Sequence, residues 1–239
     1  MKTKRIKINN IPSIIWGEKR DKVFIAIHGN MSNKEDEIIK ILANNIVNKD
    51  YSLISFDLPE HGDRKENKEY LCKVQNCVKD LKIIMDYAKT NYNRINIFAN
   101  SMGVYFSLLA YKNEKIDLCL FLSPVIDMKY IIDNMMSLCS VNEKELERKR
   151  EIKADFGQTL YWDYYLYVKN NPVKIWNKKT FILYGNKDNM QSEKLIREFS
   201  IKNDINLDIL KNAGHFFHME EELKYYDNWI NILLFKDKI

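Results

Sequence analysis

Five short apolar runs, each closing on a polar break, restrict the fold of this 239-residue chain more than any other feature. Val23–Ile27, Ser52–Phe56, Ile95–Ala99, Leu118–Leu122 and Phe181–Tyr184 are β-prone and nearly continuous. A strand that is apolar at consecutive positions must be covered on both faces, as in a parallel sheet. Helical repeats separate the runs. Ile38, Ile39, Leu42 and Ile46 within 35–48, and Val74, Val78, Leu81, Met85 and Ala88 within 70–92, each make one apolar face. Further helices are expected over 101–111, 192–199 and 220–235, with a last, more alternating strand at Asn206–Leu210. Arg5–Asn9 and Ser13–Trp16, broken by Pro12, read as an antiparallel pair of edge strands. The pattern predicts an α/β chain: a mostly parallel central sheet of about eight strands with helices on both faces.

Residues 125–179 break this rhythm with helical pattern and no convincing strand. The segment holds a charged run, Glu143–Glu151, which reads as a solvated helix face, and an aromatic cluster from Tyr161 to Tyr167. It is too long for a bare loop. A small helical lid is therefore expected after the sixth strand, with residues 1–124 and 180–239 forming the core domain. On a helix, Tyr161, Tyr164, Tyr165 and Val168 would share a face, with Trp162 pointing elsewhere. These rings either pack the lid onto the core or line a substrate pocket, and Tyr161, Trp162, Tyr164 and Tyr165 are candidate substrate-binding residues.

Composition narrows the function. Hydrophobic residues at 46% suffice for a core, and the net charge of +5 is spread from Lys2 to Lys238, which argues against a nucleic-acid partner. No apolar run approaches the roughly 18 residues of a membrane span. The basic start has no apolar stretch behind it, so no secretory signal is read and a cytoplasmic location is expected. Cys72, Cys77, Cys119 and Cys139 lack C-x-x-C spacing and read as buried free thiols.

The chemistry concentrates at Ile97-Phe98-Ala99-Asn100-Ser101-Met102-Gly103, where a strand runs into a helix through a small-x-Ser-x-Gly turn. Such a bend projects a hydroxyl at the strand's carboxyl end and turns the following N–H groups toward a developing negative charge. Small residues two before and two after the serine relieve the crowding at the bend.

This turn resembles the nucleophile elbow of the α/β-hydrolase superfamily, in particular its lidded serine esterase, lipase and aminopeptidase-like members. The resemblance spans nearly the whole chain. His28-Gly29-Asn30 is similar to the family's oxyanion loop, and Asp57-Leu58-Pro59-Glu60-His61-Gly62 to its Asp-x-Pro-Gly-x-Gly turn, with Glu60 replacing the first glycine. Gly185-Asn186-Lys187-Asp188 and Gly214-His215 match the loops that supply the catalytic acid and base, in the order Ser, Asp, His that this fold uses. Ala99, Asn100 and Val104 depart from common family residues, and Val104 is expected to narrow the pocket behind the nucleophile.

The resemblance implies a cofactor-free serine hydrolase acting on a small-molecule carboxylic ester or related acyl bond. Ser101 would be the nucleophile, His215 the base and Asp188 its orienting acid, with the oxyanion held by the backbone N–H groups of Asn30 and Met102. Asp127 is the rival acid and His218 the rival base. His28 is expected to order its own loop. His61, beside Glu60 and Asp63, has no second ligand pair at useful spacing, so no metal is expected. A thioesterase, an amidase, an aminopeptidase drawing on Glu143, Glu145 or Asp163, and a non-catalytic binding module on the same fold are the alternatives.

Overall fold

Two asparagines start the sheet. The first strands, β1 (Thr3–Ile8) and β2 (Ile11–Trp16), are antiparallel and joined through Asn9 and Asn10, at φ 46° and 68°. Asparagine tolerates this left-handed backbone, which gives a tight hairpin its twist. The computed structural model of the protein describes residues 1–155, 157–173 and 175–236.

Strand and helix then alternate: β3 (Lys22–Ile27), α1 (Glu37–Val47), β4 (Tyr51–Phe56), α2 (Val74–Asn91), β5 (Arg94–Asn100), α3 (Met102–Ala110) and β6 (Leu118–Leu122). After an inserted segment come β9 (Thr180–Gly185), α7 (Glu193–Lys202), β10 (Asn206–Leu210) and α8 (Glu220–Lys236). The insertion holds α4 (Met128–Leu138), α5 (Glu143–Lys149), the short strands β7 (Glu151–Lys153) and β8 (Thr159–Tyr161), and α6 (Trp162–Asn170). The main sheet has eight strands in the order β1-β2-β4-β3-β5-β6-β9-β10, parallel from β4 onward.

Period-two alternation sends each strand's side chains to two separate cores. Phe24, Ala26, Phe98 and Leu120 meet α1 and α8 through Leu42, Ile46, Tyr226 and Ile230. Ile25, Ile97 and Phe121 meet α2 and α3 through Val74, Leu81 and Phe106. Met128, Ile132, Trp162, Tyr165 and Val168 of the insertion join this second core, and Lys73 ties α6 to the start of α2 through Asp163, 2.8 Å away. The chain crosses over β3 between β4 and β5, so the loops after β3 and β5 diverge at a topological switch. Crevices form there.

The insertion corrects one expectation. It contains a two-stranded antiparallel hairpin, β7 with β8, where helix alone was expected. Three residues per strand are too few to print a period of two on the sequence. The charged run also ends early: α5 stops at Lys149, Arg150 turns at φ 67°, and Glu151 opens β7.

A buried ion pair fixes the loops after β3 and β4. Lys34 Nζ lies 2.6 Å from Asp57 Oδ2 and 2.8 Å from Asp63 Oδ2, with Lys34 and Asp57 only 3% and 0% exposed. The Lys34 and Asp63 backbone N–H groups also donate to the Asp57 carboxylate, at 3.0 and 2.9 Å. Burial pulls the Lys34 ammonium pKa down, but the hydrogen bonds to both carboxylates outweigh it and the pKa is raised. Removing one partner of such a pair strands the other charge. Asp57→Ala is expected to lose about 3–5 kcal/mol in chemical denaturation at pH 7. Asp63→Asn, at the exposed end, should lose about 1 kcal/mol or less. Equal losses would show that burial is not what makes Asp57 matter.

Candidate active site

Ser101 sits between β5 and α3 with φ 52° and ψ −123°, a backbone that L-residues avoid at roughly 1–3 kcal/mol. The sheet holds it there. Its N–H donates to Leu122 O at 3.0 Å, and its carbonyl accepts from Val104 N at 3.0 Å and Val125 N at 3.2 Å. Two residues on, Gly103 lets α3 approach the β3 loop, since a Cβ there would lie 2.6 Å from His28 O. The register that pairs Ile27 with Ala99 brings the two loops together.

The other two groups come from the far side of the sheet. Asp188 lies in the turn after β9, its N–H donating to Gly185 O at 3.0 Å, and His215 lies in the loop after β10. Lys187 N donates to Ala213 O at 2.9 Å, which clips these two loops together. Ser101 Oγ is 2.7 Å from His215 Nε2, and His215 Nδ1 is 2.7 Å from Asp188 Oδ2. Asp188 Oδ1 accepts from Met190 N at 2.8 Å, so both carboxylate oxygens are engaged. With Asp188 accepting at Nδ1, that nitrogen carries the ring proton and Nε2 accepts from the Ser101 hydroxyl. Ser101, Asp188 and His215 are 9%, 9% and 6% exposed.

The rival residues lie elsewhere. Asp127 caps α4, accepting from Tyr130 N at 2.9 Å. His218 is exposed, its Nδ1 2.8 Å from Phe216 O and its backbone N–H bonded to Glu222. His28 bonds within its own loop and to the next: its Nδ1 donates to Gly29 O at 2.8 Å and its Nε2 accepts from Leu58 N at 3.0 Å. Among the described residues, no group of three or more His, Cys, Asp or Glu side chains is placed to hold a metal, and no helix is long and apolar enough to cross a membrane.

A cavity of about 550 Å³ opens over Ser101, with Asn30 and Met102 in its lining. Met128, Ile131, Ile132 and Met135 of α4 form an apolar wall, joined by Leu160, Tyr161 and Tyr164. The i, i+3, i+4, i+7 spacing of the α4 residues was legible in the sequence, yet no motif drew attention to it. Of the aromatic cluster, Tyr161 and Tyr164 line the cavity. Trp162 and Tyr165 are buried in the core, their rings 5.8 Å apart. The helix starts one residue later than the sequence suggested, so Tyr161 ends β8 and flanks α6 instead of lying on its face. Val104 is fully buried in the core, and the cavity lining does not include it. Sequence reasoning also missed Gln191, 1% exposed, whose Oε1 accepts from Ile126 N and Asp127 N at 3.1 and 2.8 Å. It ties the start of the insertion to the Asp188 turn.

No protein-family model matches the sequence, and no curated protein sequence is detectably similar to it. Solved structures are similar over the whole length. Est1E from Butyrivibrio proteoclasticus, solved with ferulic acid bound, is 18% identical and superposes with a TM-score of 0.78 over 98% of both chains. A putative hydrolase from Agrobacterium vitis S4 is 14% identical, with a TM-score of 0.77 over 98% of both chains. Mouse alpha/beta hydrolase domain-containing protein 10 is 15% identical, with a TM-score of 0.74 over 99% of both chains. The chain has the α/β-hydrolase fold.

Burial holds the His28 imidazole pKa down to about 4, the Gly29 carbonyl acting against it. In the unfolded chain histidine takes up its proton near about 6.5. Stability is therefore complete above that pH and drains away as pH falls toward 4. The thermal midpoint should drop over this window, and His28→Asn should flatten the drop. A slope unchanged by the substitution would place the acid sensitivity in other groups.

Proposed function

We propose that the protein is a serine hydrolase that cleaves a carboxylic ester or related acyl bond through an acyl-enzyme. The observation that carries this reading is the hydrogen-bonded chain Ser101–His215–Asp188, set on a strained strand-to-helix turn beneath a cavity with an apolar wall. Ser101 Oγ attacks the acyl carbon while its proton passes to His215 Nε2. Asp188 holds the ring orientation and stabilises the imidazolium. The carbonyl electrons move onto oxygen, where the N–H groups of Asn30 and Met102 receive the negative charge. Collapse expels the leaving group, which takes the proton from His215. A water molecule then attacks the acyl-enzyme by the same route in reverse and releases the acid.

Residues 125–179 act as a lid over this site, with 1–124 and 180–239 as the catalytic core. The placement of α4, Leu160, Tyr161 and Tyr164 around the cavity supports that division. A lid that excludes water strengthens each electrostatic contact at the reacting carbon. The same geometry serves a thioester or an amide. An aminopeptidase would also need a free carboxylate for the substrate's amine. Glu143, Glu145 and Asp163 are already paired with Lys169, Lys149 and Lys73, which weighs against it.

Ser101→Ala should reduce kcat on a p-nitrophenyl ester by about 10⁴-fold or more without changing the melting temperature, and should abolish fluorophosphonate labelling. Asp188→Asn should be severe and Asp127→Asn mild. Undiminished turnover in the serine variant would end this reading.

Substrate preference tests the cavity separately. Ile132→Ala, Met135→Ala and Tyr164→Ala should re-rank short, long and aromatic acyl esters, each contact being worth about 1–3 kcal/mol between competing groups. Trp162→Ala and Tyr165→Ala should lower stability and keep the ranking. The opposite pattern would move the acyl pocket away from α4.

A further inference from the structure

Two thiols stand in contact in the cavity wall. Cys72 is half-buried and lines the cavity together with Ser101, and Cys77, in the first turn of α2, is fully buried behind it. Their sulfurs are 3.6 Å apart. The Cys72 backbone is fixed by its N–H, which donates to Glu60 Oε2 at 2.7 Å. Together with Cys77, His61 in the loop after β4 lowers the Cys72 thiol pKa. Cys72 is thus the member of the pair that lines the cavity, and Cys77 is the fully buried one.

We propose that Cys72 is an oxidation site and Cys77 its resolving partner, the two closing to a disulfide in the wall of the candidate catalytic cavity when a hydroperoxide enters. The Cys72 thiolate attacks the outer oxygen of the hydroperoxide and the O–O bond breaks. The departing alkoxide takes the proton that Cys72 had given up, leaving an alcohol and a sulfenic acid on Cys72. Cys77 Sγ then attacks that sulfur, and its own proton leaves with the hydroxyl as water. Two thiols and one hydroperoxide become one disulfide, one alcohol and one water. From the 3.6 Å contact the sulfurs need to close by only about 1.5 Å.

The acidities suit these roles. A hydrogen bond from Cys77 brings the Cys72 thiol pKa down to about 6 against the effect of burial, with His61 adding to the shift. Thiolate, not thiol, is the attacking form. Burial pushes Cys77 well up, so it keeps its proton until a sulfenic acid stands next to it.

His61 carries the change toward the reacting centre. Its Nδ1 is 2.8 Å from Pro59 O, and its Nε2 faces both Met31 N and Asn30 Oδ1 at 3.3 Å. Burial lowers the His61 pKa, but Cys72, the Pro59 carbonyl and Glu60 outweigh it and the pKa is raised. The other group facing it is the neutral His28 ring, 5.2 Å between centroids. Negative charge on Cys72 favours the protonated His61 ring, in which Nε2 donates to Asn30 Oδ1. A disulfide removes that charge and favours the neutral ring, whose Nε2 accepts from Met31 N instead. Only this link to turnover rests on the proposed hydrolysis. The modification does not.

The full-length protein, treated with hydrogen peroxide at pH 7, alkylated and mapped by mass spectrometry, should give a Cys72–Cys77 cross-link that dithiothreitol removes. Iodoacetamide should alkylate Cys72 at least about 10-fold faster than the half-buried Cys139, with a midpoint in its pH profile near about 6. In Cys77→Ser, dimedone should trap a sulfenic acid at Cys72, and in Cys72→Ser, Cys77 should stay a thiol. Alkylation and oxidation of Cys72 no faster than of Cys139 in the unsubstituted protein would overturn the proposal, whether or not the variants fold. Fluorophosphonate labelling of Ser101 should slow on oxidation and recover with dithiothreitol. A cross-link with unaltered labelling upholds the modification site and removes its link to turnover. A protein that never labels defeats the hydrolase reading and leaves the cross-link result intact.

Discussion

The left-handed backbone at Ser101 is the constraint around which this molecule is arranged. A residue at φ 52° between a buried strand and a helix is unfavourable alone, so it persists only where neighbours determine it. Here the neighbours are β6 and the segment after it, bonded to Ser101 through Leu122 and Val125. The turn in turn requires glycine at 103, because α3 must pass against the carbonyl of His28. The elbow and the loop after β3 are thus pressed together backbone to backbone. Neither can shift without the other.

Loops that carry chemistry must be held by something stiffer than themselves. Three devices do this. The Lys34–Asp57 pair binds the β3 loop to the β4 loop, and the buried His28 ring joins the same two loops through Leu58. Gln191 joins the Asp188 turn to the start of the insertion, so Asp188 and the cavity wall share one buried amide. The insertion contributes Trp162, Tyr165 and Val168 to the main core, and Lys73–Asp163 anchors it further.

The parallel strands were legible because burial on both faces writes itself as unbroken apolar runs, such as Val23–Ile27 and Leu118–Leu122. Ser101, Asp188 and His215 were legible because each lies next to a glycine-marked break where a strand must turn. Asp127 was separable from Asp188 only by local context in the sequence. In the structure it is spent on capping α4. The three-residue strands β7 and β8 left no periodic trace, and missing them shifted the start of α6, which misplaced Tyr161. Gln191, Lys34 and the Cys72–Cys77 contact were hidden for a different reason. Each depends on how a loop folds back, and Cys72 meets Cys77 only because it precedes the helix that carries its partner.

His215 follows Ser101 by 114 positions, and the two are joined across the sheet only once β9 and β10 have been added. A ribosome adding roughly 5–20 residues per second needs on the order of ten seconds to cover that distance. Through that interval the nascent chain carries Ser101 and its turn without His215, and Asp188 joins them only 27 positions before His215. The hydrogen-bonded chain Ser101–His215–Asp188 can therefore assemble only when the last quarter of the polypeptide, from β9 onward, has emerged and docked.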